Sequence, residues 1–320
     1  MGAEPTFQEP DVLLPVHEAE IRREFAIKIE SEIRAHPKTA NFKLNAVQVA
    51  IILFVPLSTL RPGGYLSSGV LSEELHQRMM GLPSLVKHYL NQLLPYKRPY
   101  KRPEHPEERK CTERDGNFCI LMGMSKPWVG HIVPYAWNDT QANIQKTKEV
   151  FEHIQAFFGR YSLLRYRLCL LNPRQPGSSD RVWNMLCLNL SSSCFWRGAR
   201  LAFKCLRTRP TTQGESVVIL QLHWMPWQRH MEPTKEMSLQ GKDNDFDKMI
   251  ECAKSLHSDG GSNLIYDLPE LAIPSGHLIH VRMPNSEAVR FRAMIDLQWA
   301  MIVVAAFSGA NAPLLRSDYE

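Results

Sequence analysis

With 320 residues, 44% of them apolar and 22% charged, the chain has the composition of an ordinary globular protein, which excludes wholesale disorder. A formal charge of +5 permits a nucleic-acid partner without requiring one. Seven cysteines, with no CxxC pair, exclude a disulfide framework and a zinc knuckle, and fit reduced thiols in an intracellular compartment, cytoplasmic or nuclear.

The first residues, MGAEPTFQEPDVLLP, lack the basic start and apolar run of a secretory signal. From His17 to Ala35, Ile21, Phe25, Ile29 and Ile33 recur at steps of four and predict an amphipathic helix. The apolar run Ala46 to Phe54 fits helix or strand. Ser72 to Met80 and Ser84 to Leu94 predict two short helices broken at Pro83. Residues 1–95 thus form a helical N-terminal region. YKRPYKRPEHPEERK, residues 96–110, predicts an extended Pro/basic linker, solvated because its glutamates dilute the basic charge.

Residues 111–320 mix both element types. Thr140 to Phe158 predicts a helix, 172–181 (NPRQPGSSDR) a loop, and Leu190 to Lys204 a helix. Val217 to Trp224 alternates as a strand, and His277 to Met283 predicts another. Between them Glu232 to Asp259 is polar and predicts an irregular excursion. Ser286 to Ser308 predicts a long helix with Ile295, Trp299, Ile302, Val303 and Ala306 on one face and Gly309 as its C-cap. The apolar runs 46–60 and 297–310 are too short to cross a bilayer, so no membrane partner is expected. The fold class is α+β: a helical N-terminal region packed on a hairpin–helix core, with additional strands and a long C-terminal helix.

Taken singly, the chemistry-bearing residues have plain structural readings. A histidine at a strand end such as His131 is ordinarily a hydrogen-bonded structural residue, and Asn184 fits a turn cap. Trp137, Trp183 and Trp196 fit a core, while His223, Trp224 and His277 fit strand ends with one apolar face.

Their order along the chain adds more. Arg114-Asp115-Gly116 precedes Cys119 and Gly123, then His131-Ile132 with Pro134, then Asn184-Met185 leading to Trp196 and Arg200. QLHWMP (221–226), SGH (275–277) and DLQWAMIVVAAFSGA (296–310) follow. From Arg114 onward this order resembles the fungal HNH-nuclease-like (ββα-metal) family. The resemblance implies a β-hairpin that presents a histidine beside a metal, an asparagine that orients it, and a following helix that supplies a metal-binding histidine. His131 would be the general base and Asn184 its orienting partner. Ser193 stands where the helix histidine belongs, and Gly130 where many such sites place a further ligand.

The resemblance therefore implies a degenerate metal site and no cofactor, with a divalent metal only on a nuclease reading. It leads to the expectation of a nuclease-like fold repurposed as a metal-independent cyclase or isomerase, including a pericyclic step of Diels–Alder type, in fungal secondary metabolism. The partner is then a small organic molecule, with Trp137, Trp183, Trp196, His223, Trp224 and His277 as candidate pocket residues. The alternatives are a metal-dependent HNH DNA endonuclease and a non-catalytic nucleic-acid-binding protein.

Overall fold

The computed structural model describes residues 5–91, 105–172, 174–211, 214–228, 231–258 and 273–311. Helix α1 spans Ala19–Arg34 and buries Arg22, Ala26, Ile29 and Ile33. Its inward face is rotated from the expected one, and Ile21 is exposed. The rotation follows from Arg22, whose Nη1 donates to the carbonyls of Ile52 (2.6 Å) and Val55 (2.8 Å). Those carbonyls end helix α2 (Ala46–Phe54), so a buried guanidinium closes what the helix leaves unpaired. The ambiguous apolar run is helical because Asn45 and Gln48 form a reciprocal capping box at its start. Pro56 follows α2 and leads into the single turn α3, Leu57–Leu60.

The predicted break at Pro83 does not occur. Helix α4 runs unbroken from Ser72 to Asn91 with Pro83 inside it. A proline removes the hydrogen bond to the carbonyl four residues earlier, here that of Met79. Gln48 Nε2 donates to that carbonyl at 2.9 Å, so the freed acceptor is satisfied from α2. Replacing Gln48 with leucine should therefore lower stability by about 2 kcal/mol, because a buried carbonyl loses its donor. Urea unfolding of Gln48→Leu against wild type measures this, and an unchanged midpoint would refute it.

The expected linker lies partly outside the described residues, but its end is helical rather than extended. Helix α5 spans Pro106–Arg114, with His105 as N-cap, proline in the first turn, and Glu107 and Glu108 beside the positive helix end. After strand β1 (Trp128–His131) the expected helix 140–158 is divided. Helix α6 covers Gln141–Phe151, a 3₁₀ turn covers Glu152–Ile154, and α7 covers Gln155–Phe158. Helix α8 (Leu163–Leu170) precedes β2 (Met185–Leu188) and α9 (Leu190–Arg197).

Helix α9 stops at Gly198, well short of Lys204, because Ala199 takes a left-handed φ of 54° and reverses the chain. Leu201 to Lys204 instead open strand β3 (Leu201–Pro210), which pairs antiparallel with β4 (Glu215–Trp224). The polar excursion also contains structure. Asn244 caps helix α10 (Asp245–Ser258), which turns Phe246, Met249, Ile250 and Ala253 inward at helical spacing.

Strand β5 (Leu278–Pro284) completes a three-stranded antiparallel sheet in the order β3-β4-β5, while β1 and β2 form a separate antiparallel pair. Helix α11 (Asn285–Ser308) packs on β3, β4 and α2 and ends at Gly309, whose φ of 73° is the left-handed cap conformation. By length and composition α11 could cross a bilayer, but most of its surface is buried within the protein, as in a core helix. The architecture is mixed α+β, with two small antiparallel sheets, a helical N-terminal region and a long C-terminal helix. One continuous apolar core joins Leu14, α2 and α4 to β4 and Phe307, so the N-terminal helices and the later sheet share it.

Candidate active site at the β1–β2 hairpin

Strands β1 and β2 pair in the register Trp128↔Leu188, Val129↔Cys187, Gly130↔Leu186 and His131↔Met185. Alternation gives the pair two faces. Val129, Met185 and Cys187 pack with Cys111 of α5, so that face is covered by α5. Gly130 faces α9, where Trp196 lies. The two strands and the helix that follows β2 therefore stand in the order strand, strand, helix.

His131 ends β1, and its side chain is 13% exposed. Its Nε2 lies 2.9 Å from Asp180 Oδ1. An ionised carboxylate only accepts, so neutral His131 carries its proton on Nε2 and leaves Nδ1 with a free lone pair. Nδ1 has no hydrogen-bond partner among the described residues. Tyr135 stacks on the imidazole with ring centres 5.5 Å apart. The other Asp180 oxygen lies 3.5 Å from His105 Nε2. His105 accepts the Glu107 amide at Nδ1 as the cap of α5, which leaves its Nε2 as the donor toward Asp180.

Asn184 sits one residue before β2 and is wholly buried. Its Oδ1 accepts the Val133 amide at 2.9 Å, while Nδ2 donates to the Val133 carbonyl at 2.8 Å and the Ser179 carbonyl at 3.1 Å. One side chain thus ties the end of β1 to the loop that carries Asp180. Asn138 secures the same loop, accepting Ser179 Oγ at 2.6 Å and, through its carbonyl, the Gly177 amide. Gly177 has a φ of 75°, and a Cβ there would come within 3.1 Å of the Tyr135 hydroxyl. Asp180, His105 and Tyr135 were not singled out in the sequence. Asp180 lies four residues before Asn184 in a loop that composition alone marks only as a turn.

The residues at the metal position implied by the resemblance do not fit a divalent ion. A Cβ on Gly130 would lie 3.1 Å from Trp196 Cζ3, so the indole fills the space between β1 and α9. Ser193 lies one helical turn before Trp196 and is buried, but a neutral hydroxyl is a poor ligand, and an indole N–H has no lone pair to give.

A second cluster, Cys111, Asp115 and Cys187, places potential ligand atoms within 4.8 Å of one another. A cation already occupies it. Arg114 donates to both Asp115 oxygens (2.7 and 2.9 Å), to the carbonyls of Val182 and Met185, and to Cys111 Sγ. Asp115 Oδ2 also accepts the Cys187 amide at 3.0 Å. A hydrogen bond between the free Cys111 and Cys187 thiols (Sγ to Sγ 3.7 Å), together with burial, pushes the Cys111 thiol up, away from a nucleophilic thiolate. Arg114-Asp115 thus pins α5 to β2 and positions the site from outside it.

The remaining candidates lie apart from His131. Trp137 is fully buried against His88 and Tyr89, and Trp183 lies beneath Arg290. Trp196 backs the hairpin and meets Phe203 edge-on. His223 and Trp224 belong to β4, and His277 immediately precedes β5, so all three are on the other sheet. Among the described residues no hydrogen bond or ring contact joins any of these candidates to His131. Comparison with family models, curated proteins and solved structures gave no match. The chemistry of the hairpin therefore rests on its own residues.

Proposed function

We propose that this protein is a metal-independent acid–base enzyme for a small organic molecule, built on an HNH-like ββα scaffold. His131 is the base and Asp180 its partner. The observation that carries this reading is the 2.9 Å contact between His131 Nε2 and Asp180 Oδ1, which leaves Nδ1 open. A carboxylate on one ring nitrogen holds the tautomer and steadies the imidazolium formed when the other nitrogen takes a proton. The closely packed Trp196 behind Gly130 favours this reading over a metal-dependent nuclease.

In the proposed reaction, Nδ1 removes a proton from carbon beside a carbonyl. The C–H electron pair passes into the enolate, and the same proton returns at another atom after a double-bond shift or ring closure. His105 shares the carboxylate that balances the imidazolium. Cyclisations and isomerisations of secondary metabolism are of this kind and need orientation, water exclusion and one placed base.

A generic carbon acid tests the base directly. In base-catalysed opening of 5-nitrobenzisoxazole, the base takes the ring C–H proton, that electron pair completes a nitrile, and the N–O bond breaks to give a cyanophenolate. Turnover should be insensitive to EDTA, fall about 100-fold in His131→Ala and fall about 10-fold in Asp180→Asn. In parallel, plasmid DNA with Mg²⁺, Mn²⁺ or Zn²⁺ should remain intact. His131-dependent nicking, or base catalysis indifferent to His131, would overturn the proposal.

A further inference from the structure

Beside the hairpin runs an open groove of about 490 Å³, lined by Glu108 and Thr112 of α5, Asn117, Ser125 and Lys126 of the following loop, and Trp128 and Val129 of β1. Its volume falls in the range of small-molecule sites. Spacing shows where it leads. His105, Glu108 and Thr112 lie three and four residues apart, so they form one stripe of α5. Val129 and His131 share one face of β1. From Glu108 to His105 is about 4.5 Å along the helix, and from Val129 to His131 about 7 Å along the strand. Both walls therefore belong to the elements that carry His105 and His131, and the lining ends at Glu108 and Val129, the residue of each wall nearest that cluster.

The far end of the groove has two features that the fold does not need. Lys126 holds a left-handed φ of 58° and is exposed, with no acidic partner among the described residues. A non-glycine residue in this conformation costs energy, and such strain concentrates where a side chain must be presented. Next to it Trp128 is 55% exposed, although a tryptophan of this size is usually largely buried. An unpaired ammonium beside an open indole matches a flat ring that carries an anion.

Resting on the acid–base reading above, we propose that this groove binds the substrate and that the substrate is a planar conjugated carboxylic acid. Its ring lies against Trp128 and its carboxylate at Lys126. The rest of the substrate passes the edge of β1 at Val129 and extends toward His131, which shares the Val129 face about 7 Å further on. Thr112, Asn117 and Ser125 supply hydrogen bonds along the way.

Calorimetric titration of the full chain tests this with 2-naphthoate, the uncharged 2-naphthol, and AMP, which offers a phosphate in place of the carboxylate. 2-Naphthoate should bind at least 10-fold more tightly than 2-naphthol. Lys126→Met should abolish that preference, and Trp128→Ala should weaken both ligands about 10-fold. Lys126→Gly suits the left-handed backbone and removes the charge without strain, so it should repeat the result of Lys126→Met in a fold at least as stable. Equal binding of the two naphthalenes, or an unchanged preference in both Lys126 variants, would overturn the proposal. Tighter binding of AMP would transfer the anion site to phosphate and overturn the carboxylic-acid class. His131→Ala should retain 2-naphthoate binding. Lost binding with intact His131-dependent base catalysis would sink the groove alone, whereas retained binding with His131-dependent DNA nicking would sink the acid–base reading alone.

Discussion

Replacing Asn184 with alanine should destabilise the protein by about 3 to 4 kcal/mol, the largest loss expected from any single residue around the hairpin. The amide makes three buried hydrogen bonds, two to Val133 and one to Ser179. Truncation leaves one amide and two carbonyls buried without these partners, at roughly 1 kcal/mol or more each. Asn184→Asp is the sharper variant. It keeps the acceptor for the Val133 amide but turns a carboxylate oxygen toward two carbonyls, so it should be at least as damaging. Denaturant unfolding reads the stability. Activity gives a second readout, because the Ser179 contact fixes the loop on which Asp180 meets His131. In Asn184→Ala the rate of the His131-dependent reaction should fall about as far as in Asp180→Asn under conditions where the variant is still folded. A fully active, folded Asn184→Ala would remove the positioning role given to this residue.

Asn184 also shows how sequence and structure divide the information. The ordered set of residues drew attention to Asn184 and His131, and the structure brings the two together at the end of β1, where the Ile132 amide donates to the Asn184 carbonyl. Long apolar segments were legible for another reason: the apolar run of α11 with its terminal Gly309 is local, and so is the β-branched run of β4, which is buried on both faces. The misses share one cause, a partner from elsewhere in the chain. Pro83 does not break α4 because Gln48 reaches the Met79 carbonyl from α2. The α1 face is rotated because Arg22 caps α2. Asp180 joins the site because Asn138 and Asn184 fold its loop back on β1, and no pattern within NPRQPGSSDR encodes that. Strand β1 itself pairs with a segment more than fifty residues away, so no hairpin turn announced it.

The same distinction bears on the tryptophans. Trp137 and Trp183 were candidate pocket residues but pack in the interior, as their size favours. Trp128 was not a candidate, and it is the one beside the groove. Sequence identifies an aromatic residue, but its exposure is decided by what packs on it. Here β1 begins at the protein surface and leaves the indole open.

The second large effect is on acid stability and centres on His223. It is buried on β4, with its Nε2 2.8 Å from Gln221 Oε1. Gln221 Nε2 donates to the Gln8 carbonyl, which fixes Gln221 Oε1 as an acceptor and the His223 proton on Nε2. Burial, with nearby Lys204 adding to it, lowers the His223 pKa from 6.5 to about 3. The unfolded chain therefore binds a proton below pH 6.5 that the folded chain refuses. The stability is fully present above pH 6.5 and is lost as pH falls toward 3, by roughly 5 kcal/mol in all. His88, lowered by burial to about 4, acts in the same direction. Asp296 opposes them over part of the range. Burial raises it to about 6, so it favours the folded state at acid pH and loses that contribution as pH rises through 6. Because Asp296 is common to both proteins, His223→Gln isolates the histidine: glutamine can still donate to Gln221 but does not titrate. Between pH 6.5 and 4.5, wild type should lose roughly 2 kcal/mol more than the variant in urea unfolding. Parallel losses would show that His223 is not held neutral in the fold, and the hydrogen-bond chain from β4 to Gln8 would then need a different proton on the ring.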